Sequence, residues 1–81
     1  MQVRVRLGAG LARLAPAPLH SLELDEGATV ADACHRLAAE QPGLAGALDA
    51  ALPVVSGVQT ERSHALRHGD ELALLTPVAG G

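Results

Sequence analysis

Residues 25–43 read DEGATVADACHRLAAEQPG, and their spacing decides the architecture. Thr29 stands where an N-cap belongs, because its hydroxyl can accept from a backbone N–H that the first helical turn leaves without a partner. Asp32 follows three residues later, a capping box with Asp in place of the usual Glu. Val30, Ala33, Cys34, Leu37 and Ala38 recur at the i, i+3, i+4, i+7 and i+8 positions of one apolar stripe, and Asp32, His35, Arg36 and Glu40 lie off it. Pro42-Gly43 stops the helix. A helix with one apolar face must bury that face against another layer.

The flanks supply the layer. Residues 2–7, QVRVRL, alternate strictly: Val3, Val5 and Leu7 face one way, and Gln2, Arg4 and Arg6 the other. That is a half-buried strand. Two glycines and two prolines in GAGLARLAPAP mark a loop, with Leu11 and Leu14 at i, i+3 predicting one helical turn inside it. LHSLELD gives a second strand with Leu22 and Leu24 inward, able to pair with the first as a wide hairpin. Beyond the main helix, residues 44–52 predict a shorter amphipathic helix with Leu44, Ala47, Leu48 and Leu52 on its stripe. PVVSGVQT is two short apolar runs around a Ser56-Gly57 hairpin turn. A polar, irregular stretch turns at His68-Gly69-Asp70 and leads into the last strand, ELALL, with Leu72 and Leu74 on its core face. The order β-β-α-(α)-β-β-β predicts an α+β domain: a mixed sheet of four to five strands covered by one main helix plus a short second helix. Residues 1–75 form the domain and residues 76–81 a flexible tail.

Composition narrows the function. The 81 residues carry a formal charge of −3, with nine acidic residues, six Arg and no Lys. A mildly acidic chain with no basic stripe and no Phe, Tyr or Trp is a poor nucleic-acid binder. The core must be built from Leu, Val and Ala. The lone cysteine, Cys34, excludes an internal disulfide and fits a reducing compartment. No apolar run approaches a membrane span and the first residues do not read as a signal peptide, so a soluble, cytoplasmic protein is expected.

No catalytic group emerges from the body. His20, His35, His64 and His68 are scattered, with no Cys pair beside them, so no metal site is expected. Cys34 lies on the buried stripe, where thiols are inert packing. Ser56 has no supportable base partner, and Gly8-Ala9-Gly10 is a turn, too short for a dinucleotide fingerprint. Asp25, Glu26, Asp70 and Glu71 flank turns as solvated acids.

The chemistry is left to the end of the sequence, LTPVAGG. At average usage of about 7% Gly, a terminal Gly-Gly arises by chance in roughly one chain in two hundred. Here it follows a strand and a proline. Pro77 stops the ladder and keeps the exit extended, so residues 76–81 would reach roughly 20 Å from the sheet. Gly80 and Gly81 offer no side chain to a narrow channel, and the terminal carboxylate is ionised at neutral pH, with an ordinary pKa of about 3.5. Adenylation by ATP would activate it; a sulfur donor could then displace AMP and leave a thiocarboxylate.

A leading VRVRL, a helix opened by EGATVADA, a late HGDELALL and a final PVAGG together resemble the MoaD/ThiS family of ubiquitin-like sulfur carriers, over essentially the whole chain. The resemblance implies a β-grasp fold and activation by an E1-like, ATP-dependent adenylating enzyme. It also implies a thiocarboxylate on Gly81, no bound cofactor, and a sulfurtransferase donor. GLARLA in the first loop and PVAGG favour the MoaD branch, in which the carrier is the small subunit of molybdopterin synthase and its tail enters the large subunit. The chain departs from that pattern where Gly8-Ala9-Gly10 replaces an aromatic after the first strand, and where Ser56-Gly57 replaces Asn-Gly. Carriers of this shape also serve thiamine thiazole, cysteine, tRNA thiolation and natural-product pathways. A protein modifier and a passive interaction module are the remaining alternatives. Gly81 and Gly80 are the expected reactive site, and Leu75, Thr76, Pro77, Val78 and Ala79 the expected partner-binding residues.

Overall fold

Alternation and capping place every main element where the spacing predicts it. The computed structural model describes residues 1–15 and 17–76. Strands β1 (Gln2–Leu7), β2 (Leu19–Glu23), β3 (Leu52–Val55), β4 (Val58–Gln59) and β5 (Glu71–Leu75) form one sheet in the order β2-β1-β5-β3-β4. β1 pairs with β2 antiparallel and with β5 parallel. β3 pairs antiparallel with both β4 and β5. This is the β-grasp, ubiquitin-like architecture that the resemblance implied.

Helix α2 (Val30–Glu40) lies across one face of the sheet, and Val30, Ala33, Cys34 and Leu37 are its buried residues. Their stripe meets Val3, Val5, Leu7, Leu22, Leu72 and Leu74 in one aliphatic core. Each fully buried Leu or Val is worth about 1.5–3 kcal/mol relative to exposure, so a core without rings is assembled from many moderate contributions. Ala38, at the end of the predicted stripe, is only partly buried. Two short helices close the ends of the core: α1 (Ala9–Ala12) seals one side with Leu11, and α3 (Ala45–Asp49), entered through a 3₁₀ turn at Pro42–Leu44, contributes Leu48.

Leu52 corrects the predicted second stripe. Its residue belongs to β3, not to a helix, and its side chain is 38% exposed on the face of the sheet away from α2. The helix ends at Asp49 because Ala50 and Ala51 turn the chain back into the sheet. The Ser56-Gly57 turn is as predicted, with both residues at positive φ (52° and 80°), the geometry of a two-residue hairpin turn that matches strand twist.

The capping box is complete. The Asp32 N–H donates to Thr29 Oγ1 at 3.3 Å, and Asp32 Oδ2 accepts from the Thr29 N–H at 2.9 Å and its hydroxyl at 3.1 Å. The two N–H groups between them are met from elsewhere. Val30 donates to the His64 carbonyl at 3.0 Å and Ala31 to the Arg62 carbonyl at 2.9 Å. The irregular stretch before β5 thus has a definite task, which is to satisfy the first turn of α2.

Thr29→Ala should cost about 1 kcal/mol, read as a fall of about 4–8 °C in the thermal midpoint. The hydrogen bonds from Thr29 hold the Asp32 carboxyl below its ordinary value of 3.8. A carboxylate depressed in the folded state stabilises above its unfolded value and loses that contribution as pH falls through the folded one. The wild type should therefore be more stable than Asp32→Asn at neutral pH, and urea midpoints of the two should converge below pH 3.8.

Candidate functional site

The end of β5 is positioned by strands remote from it in sequence. The turn before it is set by Gly69 at φ 86°, whose N–H donates to the Gln2 carbonyl at 2.8 Å, and the Arg4 N–H donates to the Asp70 carbonyl at 3.0 Å. Residues 71–74 then run parallel to residues 4–7 of β1. The Gly8 N–H extends the ladder to the Leu74 carbonyl at 2.9 Å. Leu75 is the last paired residue among those described, opposite Leu52 of β3. Thr76 follows, lying against α1.

Leu72 and Leu74 point into the core, and Leu75 points away, 41% exposed. Leu75 and Leu52 are thus two exposed leucines side by side at the foot of the C-terminal segment. The same face, uncovered by any helix, continues along the row Leu19, Arg6, Ala73 and Val54. Arg6 reaches Glu71 at 2.7 Å, a solvated pair worth at most about 1 kcal/mol. A shallow depression of about 210 Å³ lies between Arg6, Glu71, Ala73 and Val54. An open sheet face with exposed leucines beside a solvated ion pair suits a protein partner more than a small molecule.

Of the expected site residues, Leu75 and Thr76 stand at this edge. Pro77, Val78, Ala79, Gly80 and Gly81 lie outside the described residues. Leu52 was missed as a surface residue because its spacing fits the preceding helix stripe as well as a strand. The signal that separates the two is Pro53, which does not belong in a helix interior.

The other candidates resolve as structural. Asp70 Oδ2 accepts from the Arg67 N–H at 2.8 Å to shape the turn, and His68 Nδ1 accepts from the Gln2 N–H at 3.0 Å. His20 bonds the Ala17 carbonyl at 2.8 Å. Among the described residues no group of three or more His, Cys, Asp or Glu converges as a metal site would need. Cys34 is buried, and burial pushes its thiol up, with Arg62 opposing in part. Arg62 was not anticipated. Its Nη1 lies 3.5 Å from Cys34 Sγ, and its Nη2 donates to the carbonyls of Leu48, Asp49 (3.0 Å) and Ala51 (3.2 Å), capping the C-terminus of α3. Among the described residues no helix is long and apolar enough to cross a membrane.

Comparison with known proteins agrees with this geometry. The chain is similar to SAMP1 from Haloferax volcanii, with 30% identity over 100% of both chains and a TM-score of 0.90. It shares its fold with a putative molybdopterin converting factor subunit 1 from Pyrococcus furiosus, at 23% identity, coverage of 96% and 99%, and TM-score 0.85. The same holds for a chain in the complex of subunits 1 and 2 of molybdopterin-converting factor from Helicobacter pylori 26695, at 21% identity, full coverage of both chains and TM-score 0.72. No curated protein sequence matches. The model of the ThiS family matches residues 5–81. The chain belongs to the ThiS family, that of the ubiquitin-like sulfur carriers.

Proposed function

We propose that this protein carries sulfur as a thiocarboxylate on Gly81 and donates it in molybdopterin biosynthesis. The observation that carries the proposal is the exposed pair Leu75 and Leu52, on an open sheet face at the root of a segment ending in Gly-Gly. Docking and chemistry are divided between the face and the tail. Two enzymes can then use one carrier in turn, each gripping the face and receiving the tail in its own active site.

The steps need no acid, base or metal from the carrier. On the adenylating enzyme, the Gly81 carboxylate attacks the α-phosphate of ATP, pyrophosphate leaves, and an acyl adenylate forms. A donor sulfur at the oxidation level of sulfide adds to the acyl carbon. The C–O bond to AMP breaks, AMP departs with the electron pair, and the thiocarboxylate remains. On the acceptor enzyme, the large subunit of molybdopterin synthase in this proposal, the thiocarboxylate sulfur attacks an electrophilic carbon of the precursor, and the bond from that carbon to an oxygen substituent breaks, the oxygen leaving with the electron pair. Water then cleaves the acyl–sulfur bond, leaving sulfur on the product and restoring the carboxylate. ATP is consumed on the partner, and a sulfurtransferase supplies the sulfur as a persulfide, from which a thiol, itself oxidised to a disulfide, releases sulfur at the level of sulfide. The fold shared with subunit 1 of two molybdopterin converting factors supports the shape required for that partnership.

A second use of the same activated carboxylate has support in the 30% identity to SAMP1, a small archaeal modifier protein. As a modifier, the tail would acylate lysines of target proteins. The chain itself has no lysine to offer. The acceptor separates the two: a sulfurated small molecule in one case, a heavier protein band in the other.

Intact mass spectrometry after incubation with ATP, the cognate adenylating enzyme and sulfide should show one oxygen replaced by sulfur. Deletion of Gly81 should abolish the change without altering the thermal midpoint; an unchanged mass for the wild type would sink the carrier proposal. Leu52→Asp should weaken binding to the adenylating enzyme by about tenfold or more, about 1.4 kcal/mol. Its folding stability should stay within about 0.5 kcal/mol of wild type, because the side chain is already at the surface. Isothermal titration and urea unfolding measure the two separately.

A further inference from the structure

We infer that Gly10 is a positioning residue for the C-terminal segment: the absence of its side chain makes the seat for Thr76 and so sets the direction in which the reactive tail leaves the domain. The inference rests on the tail chemistry proposed above.

The geometry is close on both sides of the seat. A Cβ placed on Gly10 would lie 2.7 Å from Thr76 Oγ1, 3.1 Å from its Cγ2 and 3.4 Å from its Cβ. The first is inside any normal contact and the second is tight. Rotating Thr76 about χ1 does not empty the space. Two of its three staggered positions face Gly10, and a β-branched side chain has two heavy branches to place, so one always occupies a facing position. At best the 3.1 Å contact remains.

Which side would yield follows from the anchoring. α1 is held by Leu11, which is completely buried, and by the Gly8 carbonyl, which accepts from the Leu11 and Ala12 N–H groups at 3.0 and 2.9 Å. Gly8 is itself tied to Leu74, and a Cβ there would meet Leu75 Cδ2 at 3.2 Å and the Leu74 carbonyl at 3.3 Å. Thr76, by contrast, is exposed and lies one residue past the last ladder pair. A methyl group on Gly10 therefore displaces Thr76, not the helix. The carboxylate of Gly81 lies five residues further along the sequence, and a segment of that length threaded extended in a partner's channel has a fixed reach, so a displaced origin at Thr76 displaces the reacting end there. Misplacement of a reacting group by about 1 Å can cost on the order of a hundredfold in rate.

The variant Gly10→Ala tests this, because alanine favours the helix and the fold should survive. With the cognate adenylating enzyme and ATP, its kcat for acyl-adenylate formation should fall by about tenfold. Its KM should stay at the wild-type value, because the open face is untouched. Adding Thr76→Ser should restore kcat to within about twofold, since serine has one heavy branch and can turn it away from Gly10. In NMR spectra the nuclear Overhauser contact between the Gly10 α-protons and the Thr76 methyl should be present in the wild type, whatever its activity. Wild-type kcat in Gly10→Ala, a loss expressed only in KM, failure of the serine to rescue, or absence of the contact would each overturn the inference. A wild type that is not adenylated at all, with the contact present, would instead overturn the carrier proposal and leave the seat standing.

Discussion

The parallel pairing of β1 with β5 is the constraint on which everything else depends. It joins residues 4–7 to residues 71–74, nearly the whole length of the chain apart, and it lies at the centre of the sheet. Long-range pairing of this kind must be compensated by burial, since closing so large a loop has an entropic cost and few hydrogen bonds to set against it. The compensation comes from α2, which covers Val3, Val5, Leu72 and Leu74 on one face only. One-sided coverage then has a second consequence. Alternation forces every other residue of β5 outward, so Glu71, Ala73 and Leu75 face away from the helix at whatever position the chain is about to leave the sheet. The open face with Leu75 at its edge, beside the C-terminal exit, is thus a product of the same pairing that holds the domain together.

Where the sequence carried periodicity, it was enough. The alternation of residues 2–7, the stripe of α2 and its Thr29–Asp32 cap, and the Ser56-Gly57 turn each follow from local rules that tertiary contacts did not override. Leu52 failed because an apolar residue four positions after Leu48 extends a helix stripe and equally opens a strand. Pro53 tips the choice toward the strand, and the register against Leu75 completes it. The helical turn expected from Leu11 and Leu14 is present as α1, which ends at Ala12 and leaves Leu14 51% exposed. Arg62 was beyond local reasoning altogether. Its guanidinium gathers carbonyls around residues 48–51, and nothing within a window of ten residues points from one to the other. The candidate site was legible in part for the same reason. Leu75 and Thr76 could be named from the strand that precedes them, but their neighbours, Leu52 and Gly10, are adjacent only through the fold.

Arg62 also bears on why the body of the domain is chemically quiet. A thiol beside a guanidinium is the arrangement that activates cysteines elsewhere. Here the guanidinium is committed to the C-terminal carbonyls of α3 and the thiol sits in an aliphatic core, so burial prevails and the thiol is pushed up rather than down. An inert thiol suits the chemistry proposed for Gly81, because a nucleophilic cysteine could capture an acyl adenylate as a thioester. The lack of lysine acts in the same direction.

The departure at Gly8-Ala9-Gly10 fits this division of labour. An aromatic ring after β1 would fill the space beside the end of β5 with side-chain bulk. Two glycines fill it with backbone instead, and the end of β5 moves in against α1 until Gly8 bonds Leu74 and Thr76 rests on Gly10. The two solutions are not equivalent. A ring can slide and tilt with small changes in energy, whereas the backbone approach of Gly8 to Leu74 has little room to give, because helix and ladder hydrogen bonds fix both of those residues. In a chain with no aromatic residue anywhere, close approach is the available way to make the root of the tail rigid. It follows that the glycines here do not add slack: they determine where a segment that ends in two further glycines begins.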